Sequence, residues 1–193
     1  MSINSRIALE QWKKNMINKL GVEQFDIFCK ELLINGRLFH VCIEDILLQK
    51  EVEIPPEVRF LYSSVQPVLE EIQAVQGVET RVLHPNLRYK GIADCIASYR
   101  DRLHLIDWKR STKRKSTLAA TYDAPVQLAA YIGAVNASNQ YPFKVDRGLV
   151  VTAYTNGEPA TVHEVKDDVL EKSWQEWLKR LQQFYTNLNK KQE

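Results

Sequence analysis

Cysteine, glycine and proline are all scarce in this chain of 193 residues, which contains 3, 7 and 7 of them. So few glycines and prolines exclude collagen-like, mucin-like and low-complexity proteins. Three separated cysteines, Cys29, Cys42 and Cys95, argue against a disulfide framework and against a zinc site built from paired CxxC motifs. They favour a reducing or redox-buffered compartment. No apolar run approaches the roughly 20 residues of a membrane-spanning helix, so we expect no membrane insertion.

Neither sign of charge predominates, because 26 Lys and Arg residues accompany 24 Asp and Glu residues and leave a formal net charge of +2. Bulk charge therefore identifies no partner, and a nucleic-acid surface would need local clustering of basic side chains. The first residues lack the apolar core of a secretory signal, and Glu10 is atypical of a transit peptide. Either the protein stays where it is made, or a presequence has been removed.

Hydrophobic spacing predicts helices first, then strands, one helix, two strands and a final helix. This order is typical of an α/β fold with a mixed central β-sheet flanked by helices. The length suits a single domain over 1–193, with a helical region 1–76, a sheet core 77–166 and an amphipathic helix 167–190. The predicted helices cover about 6–34 with a break at Gly21, 36–48, 61–72 with an end near Gly77, 125–137 and 170–188. The predicted strands cover 78–83, 88–97, 103–109, 149–154 and 161–165.

Three charged residues lie in or at the end of apolar strands and form the most informative pattern. Asp107 and Lys109 project to the same side of their strand, while Trp108 points to the other side. A polar turn at 99–102 would bring Asp94 beside Asp107 on the neighbouring strand. Two close carboxylates repel each other unless a cation intervenes, and Mg²⁺ prefers oxygen ligands. The pattern predicts metal-assisted phosphodiester hydrolysis, whereas a lone D-x-K would more simply be an exposed salt bridge.

Two helices carry further candidates. His40 and Glu44 lie four residues apart on one helical face, where His40 could supply an imidazole ligand and Glu44 a further ligand, a partner of Arg37 or a solvated side chain. Gln127 and Tyr131 are also four apart, on the helix that begins near Pro125. Gln127 could reach the site or a DNA phosphate with Tyr131 supporting it, or Tyr131 could pack with its hydroxyl at the rim while Gln127 is solvated.

A basic segment leaves the predicted site directly after Lys109. It contains Arg110, Ser111, Lys113, Arg114 and Lys115, and the residues from 116 to 127 contain no basic side chain. Such a run is often only a solvated surface. Because this one begins at the predicted site, we expect it to follow a phosphate backbone.

The segments GRLFH, GIADC, IDWKRS and DAPVQLAAY resemble the motifs of the PD-(D/E)XK nuclease superfamily, and QxxxY after DxK is similar to its RecB-like branch. Together with EQWKK and GLVVTAY, in this order, they resemble the mitochondrial genome maintenance exonuclease family over roughly 6–186. The resemblance implies a restriction-endonuclease-like core and N-terminal helices that form an arch over single-stranded DNA. Ala93 stands where the superfamily name has proline.

The resemblance also implies roles for individual residues. His40, Asp94, Asp107 and the backbone carbonyl of Trp108 would hold Mg²⁺ or Mn²⁺, and His40, Asp94, Asp107 and Lys109 would be catalytic. The residues expected to bind nucleic acid are Trp12, Arg110, Ser111, Lys113, Arg114, Gln127 and Tyr131. Some RecB-like relatives bind an iron–sulfur cluster through four cysteines, and this sequence has three in other places.

The expected activity is that of a metal-dependent exonuclease that trims single-stranded DNA flaps from free ends during mitochondrial DNA replication, acting as a monomer in mitochondria. The family's precursors carry an N-terminal extension with a presequence, which this chain lacks. A structure-specific endonuclease of the same fold is an alternative, as is a module that binds DNA without cutting it. A helix-rich interaction domain would leave the charged residues within strands 91–109 without a purpose.

Overall fold

A five-stranded mixed sheet forms the centre of the protein, in a computed structural model that describes residues 2–190 apart from the side chain of Asn4. The strands are β1 (Ile72–His84), β2 (Tyr89–Tyr99), β3 (Arg102–Ser111), β4 (Arg147–Tyr154) and β5 (Thr161–Lys166). They lie side by side in chain order. β3 and β4 run parallel, and the other neighbouring pairs are antiparallel.

Helices cover both faces of the sheet. They are α1 (Ile3–Leu20), α2 (Val22–Leu47), α3 (Arg59–Leu69), α4 (Ala124–Ala137) and α5 (Asp167–Asn189). A parallel strand pair needs a crossover connection, and α4 lies in the one that joins β3 to β4. The α/β fold with a mixed sheet between helices, expected from the sequence, is confirmed.

Alternation along β3 sends its side chains into two separate cores. Ile106 and Trp108 pack with the second half of α2 and with α3 on one face. Leu105 packs with α4 on the opposite face. By the same alternation, Asp107 and Lys109 project to the α4 side. The two charged residues therefore lie near the end of an apolar strand, on the face that packs against α4.

α1 and residues 22–34 of α2 form an arch that stands away from the sheet. Among the described side chains of this arch, Phe25 alone is buried, and Trp12 packs near it with ring centroids 5.8 Å apart. The backbone amide of Ser2 donates to Asp123 at 3.0 Å, and the Ser2 hydroxyl caps α1 by accepting from the amide of Ser5. These contacts attach the free end of the arch to the start of α4.

Two local expectations are wrong. α2 continues through Gly36 instead of starting there, and a Cβ on Gly36 would lie 3.5 Å from Arg110 Nε. Residues 72–76, expected to belong to the helical region, form the start of β1, because α3 ends at Leu69. Ile72 continues the helical spacing only because it packs, from a strand, against the same apolar cluster as α3.

None of the described helices combines the length and the apolar character needed to cross a lipid bilayer.

Candidate active site

The candidate site lies where β2 and β3 separate. Their backbone pairing is continuous from Tyr99 opposite Arg102 to Cys95 opposite Ile106, and the recorded register ends there. One residue further along β2, Asp94 turns its carboxylate toward β3, and its Oδ2 accepts the backbone N–H of Trp108 at 2.8 Å. The Asp94 carboxylate thus replaces the missing backbone acceptor, and it satisfies the buried amide of Trp108. This contact fixes Asp94 at the point where β2 and β3 separate, here called the corner.

Asp107 and Lys109 project from β3 into the same corner, as the D-x-K spacing predicts. The Lys109 ammonium lies 2.8 Å from Asp107 Oδ1 and 2.7 Å from Oδ2, and the contact with Oδ1 has hydrogen-bond geometry. Lys109 also donates to the side-chain oxygen of Gln127 at 3.2 Å. Gln127 therefore reaches the site from α4 and orients the lysine, so the interpretation that it is merely solvated is wrong.

Tyr131 holds Gln127 in place one helical turn further along α4. The Gln127 amide nitrogen lies 3.4 Å from the Tyr131 hydroxyl. The Tyr131 ring lies directly on the backbone of Gly91 in β2, where a Cβ would be 2.4 Å from a ring carbon. Any larger residue at Gly91 would displace the ring. The glycine of GIADC thus allows α4 to bring its two polar side chains to the corner.

His40 reaches the corner from α2 and meets a carboxylate that the sequence analysis missed. His40 Nδ1 lies 3.3 Å from Glu79 Oε1 and 3.7 Å from Asp94 Oδ2. One ligand atom from each of His40, Glu79 and Asp94 lies within 4.8 Å of the others. Glu44, weighed from the sequence, is not in this group.

The position of Glu79 beside Asp94 could have been predicted from the short turn between β1 and β2. Val78 pairs with Cys95 and Thr80 with Ala93, so Glu79 lies opposite Asp94 in an antiparallel ladder. This register follows from the short turn after His84, because His84 pairs with Tyr89 and each step back along β1 matches one step forward along β2.

Burial raises the pKa of both aspartates, and repulsion by Asp107 adds to the shift of Asp94. Asp107 is 1% exposed and Asp94 is 9% exposed. Burial, followed by the negative charge of Asp107, raises the pKa of Asp94 from its ordinary value of 3.8 to about 6, although His40 and the Trp108 amide oppose the shift. Burial also raises the pKa of Asp107, against the opposing charge and hydrogen bond of Lys109. In both aspartates burial is the first cause, because it disfavours the charged carboxylate unless a cation is close.

These residues fit a hard divalent cation. Asp107 Oδ2 is buried and accepts no hydrogen bond in the described structure, although the Lys109 ammonium is close to it. A buried carboxylate oxygen that has only this ion-pair contact can accept a further cation. The neighbouring candidate ligands are mostly carboxylate oxygens with one imidazole, a set that suits Mg²⁺ or Mn²⁺.

The basic segment after Lys109 and the arch enclose a cavity of about 920 Å³, here called the arch cavity. Trp12 and Phe28 line it from the arch, and Tyr122 lines it from the loop before α4. The basic segment contributes Arg110, Ser111, Lys113 and Lys115 to the lining. Trp12, Arg110, Ser111 and Lys113, which the sequence predicts to bind nucleic acid, therefore line one cavity.

Arg114 and Arg110 each contact another group of the protein, so they are not simply part of an exposed basic surface. Arg114 is absent from the lining of the arch cavity, and its guanidinium lies 3.7 Å from the Glu158 carboxylate. Arg110 donates to the backbone carbonyl of Leu32, so it attaches α2 to β3 at the wall of the cavity. Lys115 lines the cavity, and its ammonium lies 4.6 Å from the centroid of the Tyr122 ring.

Three curated relatives are similar to this chain over most of its length. They carry the name mitochondrial genome maintenance exonuclease 1 and come from Xenopus tropicalis (41% identity over 187 residues), Mus musculus (40% over 180) and Homo sapiens (38% over 188). The matches cover 95%, 91% and 95% of this chain and 54%, 53% and 54% of the respective relatives. The chain thus spans about half the length of these relatives.

The family model of the PD-(D/E)XK nuclease superfamily matches residues 40–192. That range begins at His40 and includes Asp94, Asp107, Lys109 and Gln127, the residues that the fold brings to one corner of the sheet. The match covers most of the chain and agrees with the mixed sheet and with the paired acidic residues ahead of a lysine. The chain therefore belongs to the PD-(D/E)XK nuclease superfamily.

Proposed function

We propose that this protein is a metal-dependent deoxyribonuclease that hydrolyses single-stranded DNA from free ends. The observation that carries the proposal is the position of the charged corner. Two buried aspartates and a lysine lie where the inner strands β2 and β3 separate, and the basic segment that continues from the lysine lines the arch cavity. A phosphodiester held by that segment would be directed toward Asp107 and Lys109. The names of the relatives, which describe exonucleases, support the same conclusion.

Asp94 and Asp107 would hold Mg²⁺ or Mn²⁺, together with His40 and the backbone carbonyl of Trp108. Glu79 would add a further carboxylate, since it lies opposite Asp94 and contacts His40. When bound, the cation would polarise the scissile phosphate and favour an attacking water. Residues of the chain supply the rest: Asp94 stays fixed through the Trp108 amide, and Glu79 orients the His40 ring.

Lys109 would act as a hydrogen-bond donor to the phosphate. Its ammonium is already held between Asp107 and Gln127, so it is positioned before substrate arrives. Positioning the donor in advance avoids reorganisation when negative charge develops on the phosphate oxygens. Gln127 and Tyr131 are positioning residues in this scheme, because they act through Lys109.

The preference for single strands rests on the lining of the arch cavity. Trp12, Phe28 and Tyr122 offer aromatic faces, and Lys113 offers a cation nearby. Unpaired bases can stack on such faces, whereas bases inside a duplex are already stacked on each other. A groove with basic and aromatic walls is typical of proteins that bind single strands without reading their sequence.

The biological setting is proposed from the relatives. Their names place a similar exonuclease in mitochondrial genome maintenance, so we propose that this protein trims single-stranded flaps in mitochondria and acts as a monomer.

The experiment compares Lys109→Ala with Lys113→Ala on labelled single-stranded DNA in Mg²⁺. We expect Lys109→Ala to abolish cleavage and to retain folding and most DNA binding, since the removed ammonium lies at the reacting corner. Lys113→Ala, which removes the same charge from the exposed loop, should mainly weaken binding. Cleavage by Lys109→Ala at the wild-type rate would remove Lys109 from the mechanism.

Substrate topology separates an exonuclease from an endonuclease of the same fold. Linear strands should be degraded and circular single strands should stay intact, because a circle has no free end. Cleavage of circles would assign the endonuclease activity instead. Binding without any cleavage of linear strands in Mg²⁺ or Mn²⁺ would identify a DNA-binding module that no longer cuts.

A further inference from the structure

A second cavity, of about 560 Å³, lies on the other side of Gln127 between the β1–β2 turn, α4 and α5. We call it the α5 cavity. It shares Gln127 and Tyr131 with the candidate active site and Asp123 with the arch cavity. Gln127 touches Lys109 directly, so the α5 cavity begins one side chain away from the reacting corner. The two cavities therefore meet at Asp123, and the α5 cavity also reaches Gln127 beside Lys109.

Aromatic side chains wall the α5 cavity, and tertiary contacts hold them in place. The Tyr89 hydroxyl donates to the carbonyl of Ala130 at 2.8 Å, and the Trp177 ring meets Tyr89 edge-on with centroids 5.0 Å apart. The Tyr185 hydroxyl donates to the carbonyl of Leu87 at 3.0 Å, which attaches α5 to the β1–β2 turn. The walls are thus formed before any ligand binds.

Phe184 is the most exposed aromatic wall of this cavity. Its side chain is 58% exposed on α5, so packing inside the protein does not account for an aromatic residue at this position. A single exposed aromatic residue is ordinary on a protein surface, and Phe184 differs from Phe60 in that it lines a cavity where a base could stack on it.

The charge of the α5 cavity is complementary to a phosphate backbone. Arg88 and Lys90 are exposed at its rim and form no ion pair within residues 2–190. Asp123 is the carboxylate in its lining, and Arg180 already neutralises it at 3.0 Å. Aromatic walls with unpaired cations at the rim match the stacking faces and phosphate contacts of single-strand binding sites.

We propose that the α5 cavity binds the nucleotides on the opposite side of the scissile phosphate from those in the arch cavity. A base stacks on Phe184, and Arg88 and Lys90 contact the adjoining phosphate. This inference rests on the proposed nuclease function and extends it, because it gives the substrate two separately held segments with the cleaved bond between them. Gln127 lines the α5 cavity and Arg110, next to Lys109 in the chain, lines the arch cavity, so Lys109 would face the phosphate that joins the two segments.

The test uses short single strands that carry a fluorescent adenine analogue, quenched by stacking, at one position at a time. Binding is measured in excess chelator, so that no cleavage occurs, and the cleaved bond is mapped separately in Mg²⁺. Phe184→Ala combined with Arg88→Ala should weaken binding about fivefold or more, the lower range for a lost stacking partner. It should also abolish quenching on one side of the cleaved bond, while Trp12→Ala abolishes quenching on the other side.

The matched control is Phe60→Ala combined with Arg59→Ala. Phe60 is 61% exposed and Arg59 is exposed beside it, on α3 and outside both cavities. This variant should keep wild-type affinity and quenching. Unchanged quenching in the Phe184 and Arg88 variant, with normal cleavage by the wild type, would overturn this inference alone. A wild-type protein that neither binds nor cuts single strands would overturn the proposed function, and this inference with it.

Discussion

The two halves of α2 lie in very different surroundings. Its second half buries Phe39 and Ile43, each 1% exposed, in the core beneath the sheet and delivers His40 to Glu79. Its first half, in the arch, leaves Leu33 76% exposed and Ile34 59% exposed. One continuous helix therefore has a tightly packed end at the charged corner and a thinly packed end at the arch cavity.

This difference assigns separate tasks to the two regions. Chemistry needs groups held to a fraction of an ångström, and the corner gains that precision from strands and buried helix faces. The arch has few buried contacts, so its opening costs less free energy than opening of the core. We therefore expect changes at the corner to alter turnover and changes in the arch to alter binding.

Asp94→Asn should produce the largest effect and should separate activity from stability. Loss of one carboxylate at the proposed metal site should lower turnover about a thousandfold or more. The metal-free protein should nevertheless become more stable near neutral pH, because asparagine removes a buried charge and its amide oxygen can still accept the Trp108 N–H.

The pH dependence of that stability gain follows from the raised pKa. The folded-state pKa of Asp94 is about 6 against an ordinary 3.8, so its contribution to stability is present below pH 3.8 and is lost as the pH rises through 6. We expect Asp94→Asn to gain about 2 kcal/mol at pH 8, or about 4 to 8 °C in thermal midpoint, and nothing near pH 4. Asp26→Asn, on the exposed arch, is the control; a lower midpoint for Asp94→Asn at pH 8 would contradict this account.

Gly91→Ala should reduce turnover by roughly ten- to a hundredfold, since its Cβ would displace the Tyr131 ring and with it Gln127 and Lys109. Gly133→Ala is a closely matched control, because its Cβ would also come within 2.4 Å of an aromatic carbon, in Trp174 on α5. Both variants should lose stability in thermal denaturation. Equal turnover in the two variants would show that Tyr131 does not position the lysine.

Trp12→Ala should have a smaller effect, confined to binding. Losing one stacking face in the arch cavity should weaken single-strand binding about fivefold or more and leave turnover at saturating DNA nearly unchanged. Fluorescence anisotropy and single-turnover kinetics measure the two quantities. Ile7→Ala removes an exposed apolar side chain from the same helix, outside the cavity lining, and should bind normally. A loss of turnover without a loss of affinity in Trp12→Ala would contradict the assignment of binding to the arch and of turnover to the corner.

The sequence predicted the site best where the residues that meet are close together in the chain. Strand alternation places Asp107 and Lys109 on one face, and the short turn after Tyr99 returns the chain so that Asp94 meets the same corner. Glu79 was missed because its meeting with Asp94 depends on the full β1–β2 register. A register of this kind is visible only once both strands and their turn are assigned.

Glycine was the least reliable local signal. Gly36 predicted a helix boundary, yet it lies within α2 where Arg110 passes close to the backbone. Gly91 could be recognised as part of a motif, but its contact with Tyr131 joins β2 to α4 and is a tertiary feature. At Gly91 glycine serves the close approach of a distant ring, which sequence spacing alone does not reveal, whereas a Cβ at Gly36 would make only an ordinary contact.

Metal dependence of strand cleavage tests the central claim most directly. Purified protein is incubated with end-labelled linear single-stranded DNA in Mg²⁺ or Mn²⁺, with and without excess chelator, beside Asp107→Asn. We predict cleavage by the wild type with either metal, none in chelator, and none by Asp107→Asn. Cleavage that persists in chelator, or in Asp107→Asn at the wild-type rate, would contradict the assignment of the carboxylate corner as the catalytic centre.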